Sequence, residues 1–283
     1  MGFKRRLFLI SAFALSLGFT ACASPDNAPS TNASTSPDTS SSPAANASGD
    51  LNASLSGAGA SFPAPLYQRW FSEFNKQNSG VQVSYQSVGS GAGVEQYLSK
   101  TVDFGASDAP LTPEERQSFK AKYGTDPVQV PMTGGAVVLA YNLPGVQDLK
   151  ISRDAFCGIV QGQITNWNDP KIAQANSGTQ LPDKAINWVH RSDGSGTTYI
   201  FTNHIKAACP NWTAGSGKSV EWPVGAGAKG NEGVTAQIQQ SEGSIGYVEY
   251  AYANENGLTM ATLANKAGNY VKPSPESAAL AFE

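Results

Sequence analysis

Apolar residues fall first into one unbroken block and then into two alternating rhythms. The block, residues 7–19, follows Lys4, Arg5 and Arg6. It is shorter than the roughly 20 residues a spanning helix needs, so it is expected to be an export signal. Residues 23–50 are almost wholly Ser, Ala, Asn, Pro, Thr and Asp with no apolar period. Such a stretch cannot bury enough surface to offset its ordering entropy, and a flexible tether is expected. Beyond it, short apolar and alternating runs predict strands over 81–88, 128–130, 136–141, 186–189 and 245–250. Helical stretches are predicted over 113–122, 152–160 and 233–240, and the alternation of the two periods is an α/β pattern.

Three further helices are predicted directly behind glycine- and hydroxyl-rich turns. After Ser61, Leu66, Trp70 and Phe74 recur at every fourth position, with Pro63 and Pro65 near the first turn, where a missing N–H costs little. After Ser90 come Val94, Tyr97 and Leu98; after Thr197 come Ile200, Phe201, His204 and Ile205. Helix N-termini present unpaired N–H groups and partial positive charge, and a serine or threonine there adds a hydroxyl donor. Four segments carry this chemistry: GAGASFPAP (57–65), GSGAG (89–93), FGASDAP (104–110) and HRSDGSGTT (190–198). Any one of them taken alone reads as an ordinary turn. Together they add one arginine, Arg191, and two acids, Asp108 and Asp193, a mix suited to a small oxyanion such as phosphate.

The chemistry suggests roles. Arg191 offers a planar fork that can grip two oxygens at once, and Asp193, two residues on, is placed to orient it. Ser61, Ser90, Ser195 and Thr197 supply hydroxyls. Asp108 repels an anion unless the anion brings a proton: hydrogen phosphate does at neutral pH and sulfate does not, so Asp108 is expected to turn sulfate away. A plain turn residue before Pro110 is the other reading of Asp108. Ser195 between Gly194 and Gly196 is not a nucleophile elbow, which needs glycine two residues to either side; Asp193 and Thr197 stand there, and no enzyme is expected.

The motifs GAGASFPAP, TVDFGASDAPLT, RSDGSGT, WPVG and GSIGYVEYAYA, spread over residues 55–253, resemble the periplasmic phosphate-binding proteins of bacterial phosphate ABC transporters. The resemblance implies a two-lobed periplasmic-binding-protein fold of type II with the ligand cleft between its lobes. Lobe 1 would be 51–130 plus 246–283 and lobe 2 would be 131–245, with crossovers near Pro131 and Gly246. It places family ligand positions on Ser61 with the Phe62 N–H, Ser90, Asp108, Arg191, Ser195, the Gly196 N–H and Thr197. It also implies high-affinity capture of inorganic phosphate and delivery to an inner-membrane ABC permease, without a cofactor. A phosphate-binding envelope protein with a phosphatase, storage or sensing role is the alternative. Members of the family continue past the point matching Glu283, so the first lobe is expected to be left incomplete at the C-terminus.

Cysteine use fits export. Phe19, Thr20, Ala21 and Cys22 resemble a lipobox, which implies a lipidated Cys22 and a periplasmic, membrane-anchored monomer; a plain signal cut near Ala21 or Ala23 is the other reading. With Cys22 so used, Cys157 and Cys209 remain as an even pair for which a disulfide is expected, two separate buried thiols being the alternative. The chain has only His190 and His204 and no cysteine pair at ligand spacing, so no metal is expected. A net charge of −3 without a basic block makes nucleic acid a poor partner and leaves anion capture to local dipoles.

Overall fold

Three parallel strands, each feeding a helix, open the structure, a computed structural model that describes residues 52–280. The signal segment, Cys22 and the tether expected at 23–50 lie outside the described residues. β1 (Ala53–Gly59) leads into α1 (Ala64–Gln77), β2 (Val81–Ser87) into α2 (Ser90–Leu98), and β3 (Phe104–Ala106) into α3 (Pro113–Tyr123). The sheet order is β2-β1-β3. Gly89 adopts φ 92 at the start of α2, a conformation that favours glycine. At Gly93 a Cβ would come within 2.4 Å of the Gly59 Cα, so only glycine lets α2 lie this close to β1. Thr112 caps α3 in a reciprocal capping box with Glu115.

The chain then enters a larger mixed sheet. β4 (Val137–Asn142) is followed by β5 (Lys150–Ile151), α4 (Arg153–Val160) and α5 (Pro170–Ala173). Next come β6 (Asn187–Arg191), α6 (Gly196–Ala208), β7 (Ala226–Ala228), α7 (Gly230–Gln240) and β8 (Ser244–Glu249). The described part closes with α8 (Tyr250–Glu255), β9 (Thr259–Met260), β10 (Thr262–Ala264), β11 (Tyr270–Val271) and α9 (Pro275–Ala279). The five-stranded order is β7-β6-β8-β4-β9, with β6 parallel to β7 and β8 and with β4 antiparallel to β8 and β9. β5, β10 and β11 form a small satellite sheet.

β8 is buried at every position, which explains its nearly continuous apolar run. Its Ile245 and Tyr247 share a core with Leu139, Tyr141, Trp167 and Ile205, and the Trp167 indole N–H donates to the Gly243 carbonyl at 2.9 Å. No helix among the described residues is long and apolar enough to cross a membrane.

Two expectations need correction. Residues 128–130 form no strand: Val128 and Val130 are 84% and 66% exposed, and Pro127 and Pro131 on either side can donate nothing to a ladder. Gly246 is no crossover, because it lies inside β8, paired to Ala140 on one side and Val189 on the other. Among the described residues no strand after Gly246 joins the first sheet. The helix expected behind Ser61 is present as α1, and part of its apolar stripe faces outward. Trp70 and Phe74 are exposed while Ala64 and Tyr67 are buried, and Tyr67, Trp70 and Phe71 border an apolar cavity.

Cys157 in α4 and Cys209 at the end of α6 form a disulfide over a sequence separation of 52 residues. A loop of that length stabilises by about 4 kcal/mol on the chain-entropy model. Replacing both cysteines by serine should therefore lower the melting temperature by on the order of 10 °C, read by calorimetry. A melting temperature within a degree of the parent would show that the bridge constrains nothing.

Candidate anion-binding site

The segments singled out in the sequence meet where the parallel strands end. The turns after β1, β3 and β6 and the N-termini of α2, α6 and α7 converge at the carboxyl ends of their strands, the usual place for ligands in open α/β sheets. Ser61, Ser90, Ser195 and Thr197 are buried to 2% exposure or less, and Arg191 is 4% exposed.

Ser90 joins the two sheets. Its Oγ accepts the Gly196 N–H at 3.1 Å and the Asp108 N–H at 3.3 Å. Nearby, the Gly91 N–H donates to the Gly194 carbonyl at 2.8 Å. A Cβ at Gly196 would fall 2.6 Å from both Asp108 Cβ and Ser90 Oγ, so the junction leaves room only for a backbone. The Ser195 hydroxyl oxygen caps α6 by accepting the Thr198 N–H at 3.0 Å. Phe62 follows Ser61 in the same turn, and its ring faces the apolar cavity.

Arg191 is clamped along one edge. Nε donates to Asp193 Oδ1 at 2.7 Å and Nη2 to Asp193 Oδ2 at 2.6 Å, while Nη1 reaches Thr197 Oγ1 at 3.5 Å. The Arg191 N–H donates to the Tyr247 hydroxyl, which also shares a 2.6 Å hydrogen bond with Thr198 Oγ1. Asp193 Oδ1 additionally accepts the Gly230 N–H at 3.0 Å. Burial pushes the Asp193 carboxyl up, but hydrogen bonds and charge from Arg191, with the Gly230 N–H, outweigh it and hold the group below its ordinary value.

Asp108 behaves oppositely. Burial pushes its carboxyl up to about 6, with the Arg191 charge and the Thr197 hydroxyl pulling the other way. Glu249, at the end of β8, is pushed up to about 7, chiefly by burial and against the Ala251 and Tyr252 N–H groups. Asp108, Thr197 and Glu249 border the apolar cavity of about 710 Å³, whose walls include Phe62, Tyr67 and Phe104. Ser90, Arg191 and Ser195 are not among its lining, so the polar cluster opens onto the cavity only through Asp108 and Thr197.

All the sequence-selected residues are thus brought together. Asn231, fully buried in the first turn of α7, was not legible: it bonds Ser61 and Thr197, yet follows no helix-capping or motif spacing. Tyr252 was missed too, and its hydroxyl donates to the Ser61 carbonyl at 2.6 Å. Among the described residues no cluster of His, Cys, Asp and Glu could hold a metal ion.

The Asp108 carboxyl sets a pH test. Its folded value is raised above the usual 3.8, so ionising it costs stability; the cost is absent below about pH 4 and complete above about pH 6. Asp108→Asn should gain stability relative to the parent between pH 4 and pH 7.5, by on the order of 2–3 kcal/mol. Urea unfolding of both proteins in phosphate-free buffer measures this, and a pH-independent difference would show that Asp108 is not buried as described.

A PBP superfamily domain model matches residues 32–281. The chain is 50% identical over 228 residues to the phosphate-binding protein PstS of Pasteurella multocida, covering 79% of this chain and 64% of that one. It is 34% identical over 253 residues to PstS3 of Mycobacterium bovis, covering 89% and 67%. The chain therefore spans about two thirds of these relatives' length. A solved high-affinity periplasmic phosphate-binding protein bound with phosphate aligns at 25% identity and TM-score 0.65 over 81% of this chain and 67% of that one. The phosphate-binding protein from Stenotrophomonas maltophilia shares the fold at 22% identity and TM-score 0.58, over 75% and 65%.

Proposed function

The chain belongs to the PBP superfamily, among the phosphate-binding proteins of the PstS type, and on that premise we propose that it captures inorganic phosphate outside the cytoplasm and delivers it to an ABC permease. The observation that carries this reading is a buried guanidinium locked by one carboxylate beside converging helix N-termini, with a second carboxyl, Asp108, nearby and free of that ion pair. That arrangement suits an anion that both accepts and donates hydrogen bonds.

Phosphate would be held by Ser61, the Phe62 N–H, Ser90, Asp108, Arg191, Ser195, the Gly196 N–H and Thr197. With Nε committed to Asp193, the Nη1 and Nη2 edge of Arg191 is left to grip two oxygens. Ser90 and the Gly196 N–H, bonded to each other here, would both turn to the ligand. Ionised Asp108 accepts the proton of hydrogen phosphate, the one contact sulfate cannot make.

The three-stranded sheet with α1 to α3 is one lobe and the five-stranded sheet with its helices is the other, the connection over 124–136 serving as a crossover. Capture at low concentration followed by release to a permease needs such a cleft to open and close. The protein acts as a periplasmic monomer anchored through a lipid on Cys22. It binds without catalysis, in keeping with relatives named as binding proteins.

Isothermal titration of the protein with phosphate and then sulfate is the direct test; heat with phosphate alone supports the reading, and no heat with phosphate refutes it. Arg191→Lys keeps the charge but loses the fork, so phosphate affinity should fall roughly ten- to a hundredfold, about 1.5 to 3 kcal/mol. An unchanged affinity would remove Arg191 from the site. Asp108→Asn keeps a carbonyl acceptor and adds an amide donor. Phosphate should weaken only modestly while sulfate competes better at neutral pH, and an unchanged phosphate-to-sulfate ratio would place discrimination elsewhere.

A further inference from the structure

Asn231 lies in none of the oxyanion motifs, yet it binds two of their hydroxyls. It is fully buried. Its Nδ2 donates to Ser61 Oγ at 2.8 Å and, at a longer 3.4 Å, to Thr197 Oγ1. Its backbone N–H also donates to Ser61 Oγ, at 3.0 Å. The orientation of the amide is fixed from behind: Oδ1 accepts the Glu249 N–H at 2.9 Å, so the nitrogen must be the end that faces the hydroxyls.

A hydroxyl has two lone pairs and one hydrogen. In Ser61 both lone pairs are taken by Asn231, which leaves the hydrogen as the group's free valence. Thr197 Oγ1 likewise receives donors at long range from Asn231 and from Arg191 Nη1. We propose that Asn231 is a positioning residue that fixes the direction of the Ser61 hydroxyl, so that it can only donate to the bound anion. A hydroxyl free to rotate would offer the anion a lone pair part of the time and repel it. This inference rests on the phosphate reading above.

The two possible substitutions act differently. Asn231→Asp is isosteric but replaces the donor by an acceptor, so the Ser61 hydrogen turns toward residue 231 and is lost to the ligand. Asn231→Ala leaves the backbone N–H on Ser61 Oγ and leaves the Ser61 hydrogen available. The test is phosphate titration of the full chain as parent, S61A, N231A, N231D and the two double variants, which separates a pairwise effect from general damage.

S61A should weaken phosphate about tenfold or more in the parent and in N231A, but less than about twofold in N231D. Equal S61A losses in all three backgrounds would mean that N231D acts by charge alone and would overturn the proposal. A vanished S61A effect in both N231A and N231D would mean general disruption of the site, and would overturn it too. Should N231D not fold, N231A decides: phosphate should bind several-fold weaker than to the parent, and parental affinity overturns the proposal. A parent that binds no phosphate removes the phosphate reading itself, and this inference with it.

Discussion

Everything at the junction of the two sheets depends on keeping one guanidinium ionised and immobile out of water. The Arg191 side chain is 1% exposed, and an unpaired charge so placed is costly, of the order of 3–5 kcal/mol when a buried partner is removed. Asp193 supplies the counter-charge with two hydrogen bonds along one edge and is itself held by the Gly230 N–H at the start of α7. The pair ties β6 to α7. Because one edge of the fork is fixed, the other edge has a defined direction, and the hydroxyls around it can be placed against a known partner.

The second constraint is that the two sheets share no strand ladder, so their relative placement rests on side chains and turns. Ser90 to Gly196, Gly91 to Gly194, Asn231 to Ser61 and Tyr252 to Ser61 all cross between them. Lys218 and Glu115 add an ion pair, and Ser87 bonds Glu232. Two of these contacts, Ser90 to Gly196 and Asn231 to Ser61, involve the same atoms proposed to face a ligand. An anion bound at the proposed site would compete with these two bonds between the sheets.

The acids show how burial alone gives like groups different work. Asp193 faces the guanidinium edge-on and stays ionised, whereas Asp108, only more distantly influenced by the same arginine, is governed by desolvation and sits near 6. One carboxylate neutralises the cation and the other remains able to respond to a proton. The same three residues that the motifs bring together are thus divided by geometry: one acid is spent on the arginine and the other is left beside it.

The sequence by itself determined the α/β class, the helices behind Ser61, Ser90 and Thr197, and the identity of the polar cluster. These follow from local rules: glycine where backbones must approach, proline in a first turn, and apolar period along each element. The bridge between Cys157 and Cys209 was likewise legible from parity and compartment. Tertiary structure alone decided three other matters. The run at 128–130 has strand composition but no neighbour to pair with between its prolines. Gly246 lies within β8 because the strand's partners, Ala140 and Val189, are distant in sequence. Asn231 gained its place because α7 starts where β1 and β6 end, a juxtaposition no local pattern encodes, since the hydrogen bonds of a buried amide depend on elements far apart in the chain.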